Sequence, residues 1–478
     1  MSSLSRAQTN AMQELLRIAP VIDELGALFR GAGHELHLVG GSVRDALLGR
    51  LGHDLDFTTS ARPDETHALL RRFTPSTWDI GKEFGTIGAM KRAEGHEWQI
   101  EVTTFRADAY EEHTRKPVVA FGDSIDEDLV RRDFTVNAMA IDVATRRFID
   151  PHGGLQDLAA GILRTPTEPE VSFSDDPLRM LRAARFASRL GFHVGNEVVA
   201  AMRGMAERID IVSVERIQGE LNALLLTDSP RAGLDLLVET GLAERFLPEL
   251  PALRLERDEH HRHKDVYQHS LTVLDQAIDL EKARGHEPDL VNRLAALLHD
   301  IGKPATRRFE GPKVTFHHHD VVGAKMARRR LRALNYPQAV TKSVCRLIEL
   351  HLRFHGYQEG AWTDSAVRRY VRDAGDELER LHILTRADCT TRNRAKATRL
   401  RRAYDELEWR IDELANQEEL DAMRPHLDGT QIMAILGIPP GREVGEAYRF
   451  LLEHRIEHGP VDEDTAEALL LQWWESRG

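Results

Sequence analysis

Cysteine is nearly missing from this chain: only Cys345 and Cys389 occur in 478 residues. That scarcity excludes a disulfide framework and a zinc site built from thiolates. No run of about 18 apolar residues occurs, so no membrane-spanning helix is expected. The opening stretch MSSLSRAQTNAMQELLRIAP lacks the basic-then-apolar pattern of a secretory signal, and a cytoplasmic protein is expected. Positive charge is also in deficit: 64 Lys and Arg against 77 Asp and Glu give a net charge of −13. Such an average argues against general affinity for nucleic acid, although recognition depends on local basic stripes.

What is present is a charged, globular composition, 41% hydrophobic and 29% charged. The length exceeds one ordinary core, so about two to four domains are expected. Histidine is plentiful, 23 residues, and clusters in the second half.

The most informative stretch is LVGGSVRDALLGRLGHDLDF, residues 38–57. It reads as a strand end, a Gly-Gly turn, a short helix and a second strand. Alternation on a strand points Asp54 and Asp56 one way and Leu55 and Phe57 the other. Paired carboxylates backed by apolar residues suit a hard cation such as Mg2+. Gly40 and Gly41 leave room for a phosphate to reach backbone N–H groups. The bland alternative is an Asp-x-Asp in a surface turn.

Residues 10–32 and the segment ARPDETHALLRRF have helical spacing, the latter with Pro63 early and Leu69 and Leu70 inward. WQIEVTTFR reads as a strand with Gln99, Glu101 and Thr103 on one face. Glu101 then adds a third carboxylate, and three on adjacent strands can hold the two cations of a phosphoryl-transfer site. The other reading of Glu101 is an exposed strand residue. Residues 107–128 are polar and aperiodic and read as a loop. In DLVRRDFTVNAMAIDV, Arg131 and Arg132 suit triphosphate oxygens, while Asp133 and Asn137 suit ribose hydroxyls. A surface ion-pair cluster is the competing reading.

From about residue 155 the pattern is helical. In FSDDPLRMLRAARFASRLGF, Ser174 and Asp175 are candidate caps and Pro177 falls in the first turn. Asp175 and Asp176 then share a face with Arg179, and Arg182, Arg185 and Arg189 continue a basic stripe. Acids at a helix start also suit the dipole without any further role. VSVERIQGELNALL is another amphipathic helix, and TDSPRAG is a candidate domain break. Further on, His299-Asp300 ends an apolar helix, with His269 upstream and Asp388 downstream. Imidazoles and carboxylates together suit divalent transition metals and Mg2+. Arg392, Arg394, Lys396, Arg399, Arg401 and Arg402 form a dense basic stretch, read as a solvated face or as RNA phosphate contact.

The motifs GGSVRDALLG…HDLDF, IEVTTFR, DLVRRDFTVNAMA, DDPLRMLRAARFASRLGF and ERIQGEL occur in that order. This order resembles the class II tRNA nucleotidyltransferase family, which contains bacterial CCA-adding, A-adding and CC-adding enzymes and poly(A) polymerases. Residues 258–390 resemble an HD domain. The resemblance implies an α+β architecture: a nucleotidyltransferase head related to DNA polymerase β, then an all-helical remainder. The expected divisions are a head (1–150), a neck (151–228), body linker helices (229–257), an HD domain (258–400) and a tail (401–478).

By the same resemblance, Asp54, Asp56 and Glu101 are catalytic, the two aspartates binding Mg2+. Gly40, Gly41, Arg44 and Asp45 contact the triphosphate and metal site. Arg132, Asp133 and Asn137 select ribose, and Asp175, Asp176 and Arg179 template the incoming base, with Arg182 and Arg185 beside them. The family has Glu-Asp where this chain has Asp175-Asp176. Arg179 offers donors and Asp176 acceptors, enough to mimic a Watson–Crick edge. In the HD part, His269, His299, Asp300 and Asp388 form the expected metal set, with His319 and His351 for a second position. A divalent transition metal or Mg2+ is implied there, with phosphohydrolase activity.

The implied reaction is addition of C, C and A to the tRNA 3′ end from CTP and ATP, with the acceptor and TΨC arms clamped by shape and phosphates. No membrane partner is implied. The alternatives are a poly(A) polymerase or a partial A- or CC-adding enzyme. From other classes come an HD phosphohydrolase with an RNA-binding head and an RNA-binding chaperone.

Overall fold

A computed structural model describes residues 3–81, 85–93, 95–106, 121, 122, 124–254, 265–310, 313–354, 362–390, 394–418 and 425–477. The chain divides into two compact units, Met1–Pro248 and Glu249–Gly478.

The first unit is built on a mixed sheet of strands β1 (Leu36–Val39), β2 (Asp54–Thr59), β3 (Ser76–Gly81), β4 (Thr86–Ala93), β5 (His96–Thr104), β6 (Ala140–Asp142) and β7 (Phe148–Ile149). Their spatial order is β3-β4-β5-β2-β1-β6-β7. Strand β2 runs parallel to β5 and antiparallel to β1, with Asp56 opposite Glu101. Alternation holds as expected: Leu55, Phe57, Trp98, Ile100 and Val102 are buried. The opposite face of β2 exposes Asp54 and Asp56. Helices Ser3–Gly31 and Pro63–Phe73 pack their apolar stripes on the sheet; Ile18, Ile22, Leu25, Phe29 and Leu70 have no exposed surface. Burying such side chains is the main force holding the layers together.

Two expectations change here. Ser174 and Asp175 do not cap the arginine-rich helix. They end a preceding helix, Pro169–Asp175, and the next runs Leu178–Leu190. Pro177 forces the separation, because the residue before a proline is driven out of helical conformation; Asp176 sits at φ −143°, ψ 100°. Asp176, one residue before the N-cap Pro177, accepts from the Leu178 N–H through Oδ1 at 3.1 Å. The second change concerns TDSPRAG, which is no domain break. The following helix, Arg231–Glu239, packs on Leu178–Leu190. The Gly233 N–H donates to Ser188 Oγ at 2.9 Å, and a Cβ at Gly233 would lie 2.4 Å from the Ala184 carbonyl oxygen. The division falls instead at Pro248 and Glu249.

Residues 107–120 and 123 of the expected loop, and Arg392, lie outside the described residues. The end of that stretch is helix Ile125–Val130, capped by Ser124. Among the described residues, the regular structure of the second unit is helical apart from a small hairpin, Arg308–Glu310 with Lys313–Thr315. Its core joins helices Val266–Ala283, Leu290–Leu298, Gln338–Leu350 and Leu378–Ala387. A smaller core around Ile432, Ala447, Leu451 and Leu470 holds the last three helices. No helix among the described residues is long and apolar enough to cross a membrane.

Candidate functional site

In the first unit, helix Gly40–Leu47 joins β1 to β2 and brings the Gly-Gly pair beside the carboxylate strand. Gly40 has φ +66°, a left-handed backbone that suits glycine, and a Cβ there would lie 2.7 Å from Arg132 Nη1. Ser42 fastens this helix to the strand, its Oγ accepting from the Asp56 N–H at 2.9 Å.

A cleft of about 430 Å³ opens here. It is lined by Gly40, Gly41, Arg44, Asp56, Arg132, Asp133, Asn137, Asp176, Arg179, Arg182 and Arg185, all anticipated from the sequence. Asp54 and Glu101 do not line it: Asp54 lies on the same face of β2 as Asp56, and Glu101 lies opposite Asp56 on β5. Asp45 and Asp175 are also outside the lining. Asp45 accepts two bonds from Arg44, each 2.9 Å, and Asp175 ends its own helix. Leu178, Phe186, Arg189 and Arg216 complete the wall.

The charges in the cleft are cross-braced. Arg44 is buried and donates to Asn137 Oδ1 at 2.6 Å. Asn137 Nδ2 donates to Asp133 Oδ1 at 2.9 Å, and Arg182 holds Asp133 Oδ2 at 2.6 Å. Burial acts to raise the Asp133 pKa. Arg182, Asn137 and the Phe134 N–H outweigh it and hold the carboxyl down at about 2. Arg132 is fixed by Asp128 at 2.9 Å. Arg179 is seated by Ser172 Oγ at 2.8 Å and the Arg131 carbonyl at 2.5 Å. Asp176 meets Arg216 at 2.7 Å.

Asp56 behaves differently. It faces open solvent, yet the surrounding protein penalises its charge, and Glu101 and Asp54 add repulsion. Its carboxyl is pushed up to about 6, against the pull of Arg132 and Arg44. A cluster of acids with excess negative charge favours a bound cation, and the oxygen donors fit a divalent ion.

Sequence reading missed Ser42, Asp128 and Arg216. Ser42 stands inside a motif already singled out. Asp128 lies four residues before Arg132 on a short helix, a detectable i, i+4 pair. Arg216 meets Asp176 across 40 residues of chain, with no local signal.

The second unit assembles the histidines. His299 and Asp300 follow helix Leu290–Leu298, and His319 opens helix His319–Ala333. His351 follows helix Gln338–Leu350, and His269 lies in Val266–Ala283. Gly302 permits this meeting, because a Cβ there would lie 2.1 Å from the His319 carbonyl oxygen. His299, His319 and His351 each direct Nδ1 at the carbonyl three residues back, at 2.9, 2.7 and 2.6 Å. That contact fixes the ring and turns Nε2 inward, as metal-ligating imidazoles require.

Asp300 lies between two groups. Its Oδ2 is 3.2 Å from His299 Nε2 and 3.5 Å from His269 Nε2. Its Oδ1 is 3.3 Å from His319 Nε2 and 4.0 Å from His351 Nε2. Asp388 Oδ1 joins the first group, 2.9 Å from His269 Nε2. Burial opposes charge on Asp300, but His299, His319 and Lys303 hold its carboxyl well below the usual range. Burial and His299 push His351 down to about 4. The Nε2 atoms of His319 and His351 are buried without a hydrogen-bond partner. These donor sets fit divalent metal.

Comparison with known proteins gives matching assignments. Residues 36–164 match the poly A polymerase head domain, 191–253 the probable RNA and SrmB-binding site of polymerase A, and 266–393 the HD domain. The A-adding tRNA nucleotidyltransferase of Deinococcus radiodurans is 32% identical, over 92% of this chain and 95% of its own. The multifunctional CCA protein of Neisseria gonorrhoeae is 37% identical over 67% of this chain and 74% of its own. The crystal structure of the Bacillus stearothermophilus CCA-adding enzyme in complex with CTP superposes with a TM-score of 0.70 at 26% identity. That match covers 97% of this chain and 98% of the other. The chain therefore belongs to the tRNA nucleotidyltransferase family, a divalent-metal enzyme whose poly A polymerase-type head is accompanied by an HD domain.

Proposed function

We propose that the protein adds C, C and A to the 3′ end of tRNA from CTP and ATP, releasing pyrophosphate at each step. The supporting observation is one cleft that unites the carboxylate strand, through Asp56, with Asp176 and Arg179. Asp54 and Asp56 would hold two Mg2+ ions, with Glu101 as third carboxylate. Bound there, the ions would acidify the primer 3′-hydroxyl and neutralise charge on the triphosphate. The 3′ oxygen displaces pyrophosphate in line at the α-phosphorus, and no protein nucleophile is needed.

The chain's own groups do the positioning. Gly40 donates its N–H to the Met139 carbonyl and sets the turn, so the Gly41 N–H and the guanidinium of Arg132 would meet the phosphates. The Arg44–Asn137–Asp133–Arg182 chain holds the ribose side rigid, with Asp45 and Arg185 supporting it. Arg179 and Asp176 present the donor and acceptor edge to the base. Asp175, set outside the cleft lining, acts through the turn that places Asp176.

The CCA-adding and CCA-named relatives support this reading. A partial, A-adding activity is the second reading, favoured by the near full-length match to an A-adding relative. tRNA ending at the discriminator base and tRNA ending in CC, each given CTP and ATP separately and together, separate them. C, C and A addition supports the first. Addition of A only to tRNA already ending in CC supports the second. Long A tails from ATP alone contradict both.

The neck (151–228), body (229–257) and tail (401–478) are assigned to the acceptor and TΨC arms of tRNA. The HD residues His269, His299, Asp300 and Asp388, with His319 and His351, are assigned to hydrolysis of a phosphate ester. A cytoplasmic location fits these substrates.

A further inference from the structure

Between Val321 and Ile348 the chain has 28 residues without one aspartate or glutamate. At the average of 77 acids in 478 residues, about four would be expected there. The same tract holds seven lysines and arginines. It lies within two helices, His319–Ala333 and Gln338–Leu350, packed together, with Asp320 and Glu349 at their outer ends. The apolar side of the first, with Ala324, Ala327 and Leu331, is buried. Lys325, Arg328, Arg329 and Arg332 are exposed. Their i, i+3, i+4, i+7 spacing puts them on one face, about 10 Å long.

Arg330, on another face, is engaged by Glu249 at 2.8 Å, and Arg346 faces Glu349 at 3.6 Å. The four exposed cations have no ion-pair partner among the described residues. A helix dipole favours Arg332 in the last turn, but it gives no reason for Lys325, Arg328 and Arg329. The two helices also carry donors to the metal centre: His319 begins the first and His351 follows the second, their rings 5.4 Å apart. The pair is therefore an antiparallel hairpin with the metal donors at one end and an acid-free basic face along its side.

We propose that Lys325, Arg328, Arg329 and Arg332 form an RNA-binding surface that grips the phosphate backbone of tRNA without reading its sequence. Three of the four are arginine, whose planar fork matches phosphate oxygens. A row of cations on a chain of net negative charge concentrates the field where a polyanion can use it. The choice of RNA as the polyanion rests on the proposed tRNA substrate. The surface itself lies outside the nucleotidyl-transfer cleft.

The test uses the full chain and a K325Q/R328Q/R329Q/R332Q variant. Binding of labelled tRNA is read by fluorescence anisotropy from 50 to 200 mM salt, on the order of the range where phosphate contacts dominate. Affinity should fall at least about tenfold, and the salt slope should flatten by roughly 0.9 per lost contact. KM for tRNA should rise in step, with KM for CTP and the rate at saturating tRNA unchanged. All four side chains are exposed and glutamine keeps helix propensity, so the melting profile should stay the same. An R71Q/R72Q variant, altered at exposed arginines of the head outside the cleft, should bind tRNA as the parent does.

An unchanged affinity and salt slope would overturn the proposal. So would a variant that keeps tRNA affinity and loses only binding to phosphatidylserine vesicles, which assigns the face to a membrane surface. Failure of the transferase reading shows separately, as no incorporation by the parent protein.

Discussion

Gly40 and Asp133 show how single residues set the cleft. The left-handed backbone at Gly40 costs an L-residue about 1–2 kcal/mol, and a Cβ would also displace Arg132. Gly40→Ala should lower the thermal midpoint and raise KM for the nucleotide, measurable by calorimetry and steady-state kinetics. Asp133 titrates lower when folded than when unfolded. Its contribution is therefore complete above about pH 4 and lost as pH falls towards 2, about 2 kcal/mol in all. Asp133→Asn should lower stability at neutral pH by that order and flatten the acid limb between pH 4 and 2. Denaturant melts across that range decide it; an unchanged acid limb counts against the pairing with Arg182. At this scale most of the cleft was legible, because Gly40, Arg44, Asp56, Arg132 and Asn137 sit in short motifs. Arg216 was not, because its partner Asp176 is distant in sequence and only the fold joins them.

At the scale of elements, the strands were readable from alternation and the long helices from apolar spacing. The order β3-β4-β5-β2-β1-β6-β7 was not, since nothing local states that β2 pairs in parallel with β5. The helix break at Asp176–Pro177 was misplaced because Ser174 and Asp175 carry cap chemistry, whereas Pro177 makes Asp176 the turn. In the second unit, helices Val266–Ala283 and Leu290–Leu298 are tied by Arg293 and Glu281, both 1% exposed and 2.9 Å apart. Removing one partner strands a buried charge, so Arg293→Met should cost about 3–5 kcal/mol. Replacing Glu281 with leucine as well should recover most of that loss. Chemical denaturation of the three variants checks it, and equal losses in single and double variants would show that the pair is not coupled.

Across the whole molecule, the two units carry different donor sets: carboxylate oxygens on adjacent strands in the first, imidazole with carboxylate in the second. The ligands of the second come from five helices or their ends, and metal binding should stabilise their meeting. Divalent metal should therefore raise the melting temperature of the chelator-treated protein, and the His299→Ala variant should lose most of that gain. An equal gain in parent and variant would place the metal elsewhere. His299 and Asp300 were visible as neighbours in sequence. The inward turn of three Nε2 atoms was not, because backbone carbonyls set it and every sequence has those.

We propose that the carboxylates of β2 drive nucleotide addition to tRNA. The direct measurement is incorporation of labelled CMP and AMP into tRNA ending at the discriminator base, by the parent protein and by Asp54→Ala/Asp56→Ala. The parent should extend the tRNA by C, C and A. The variant should lose incorporation by several orders of magnitude while still binding tRNA. Incorporation by the double variant at the parent's rate would contradict the account.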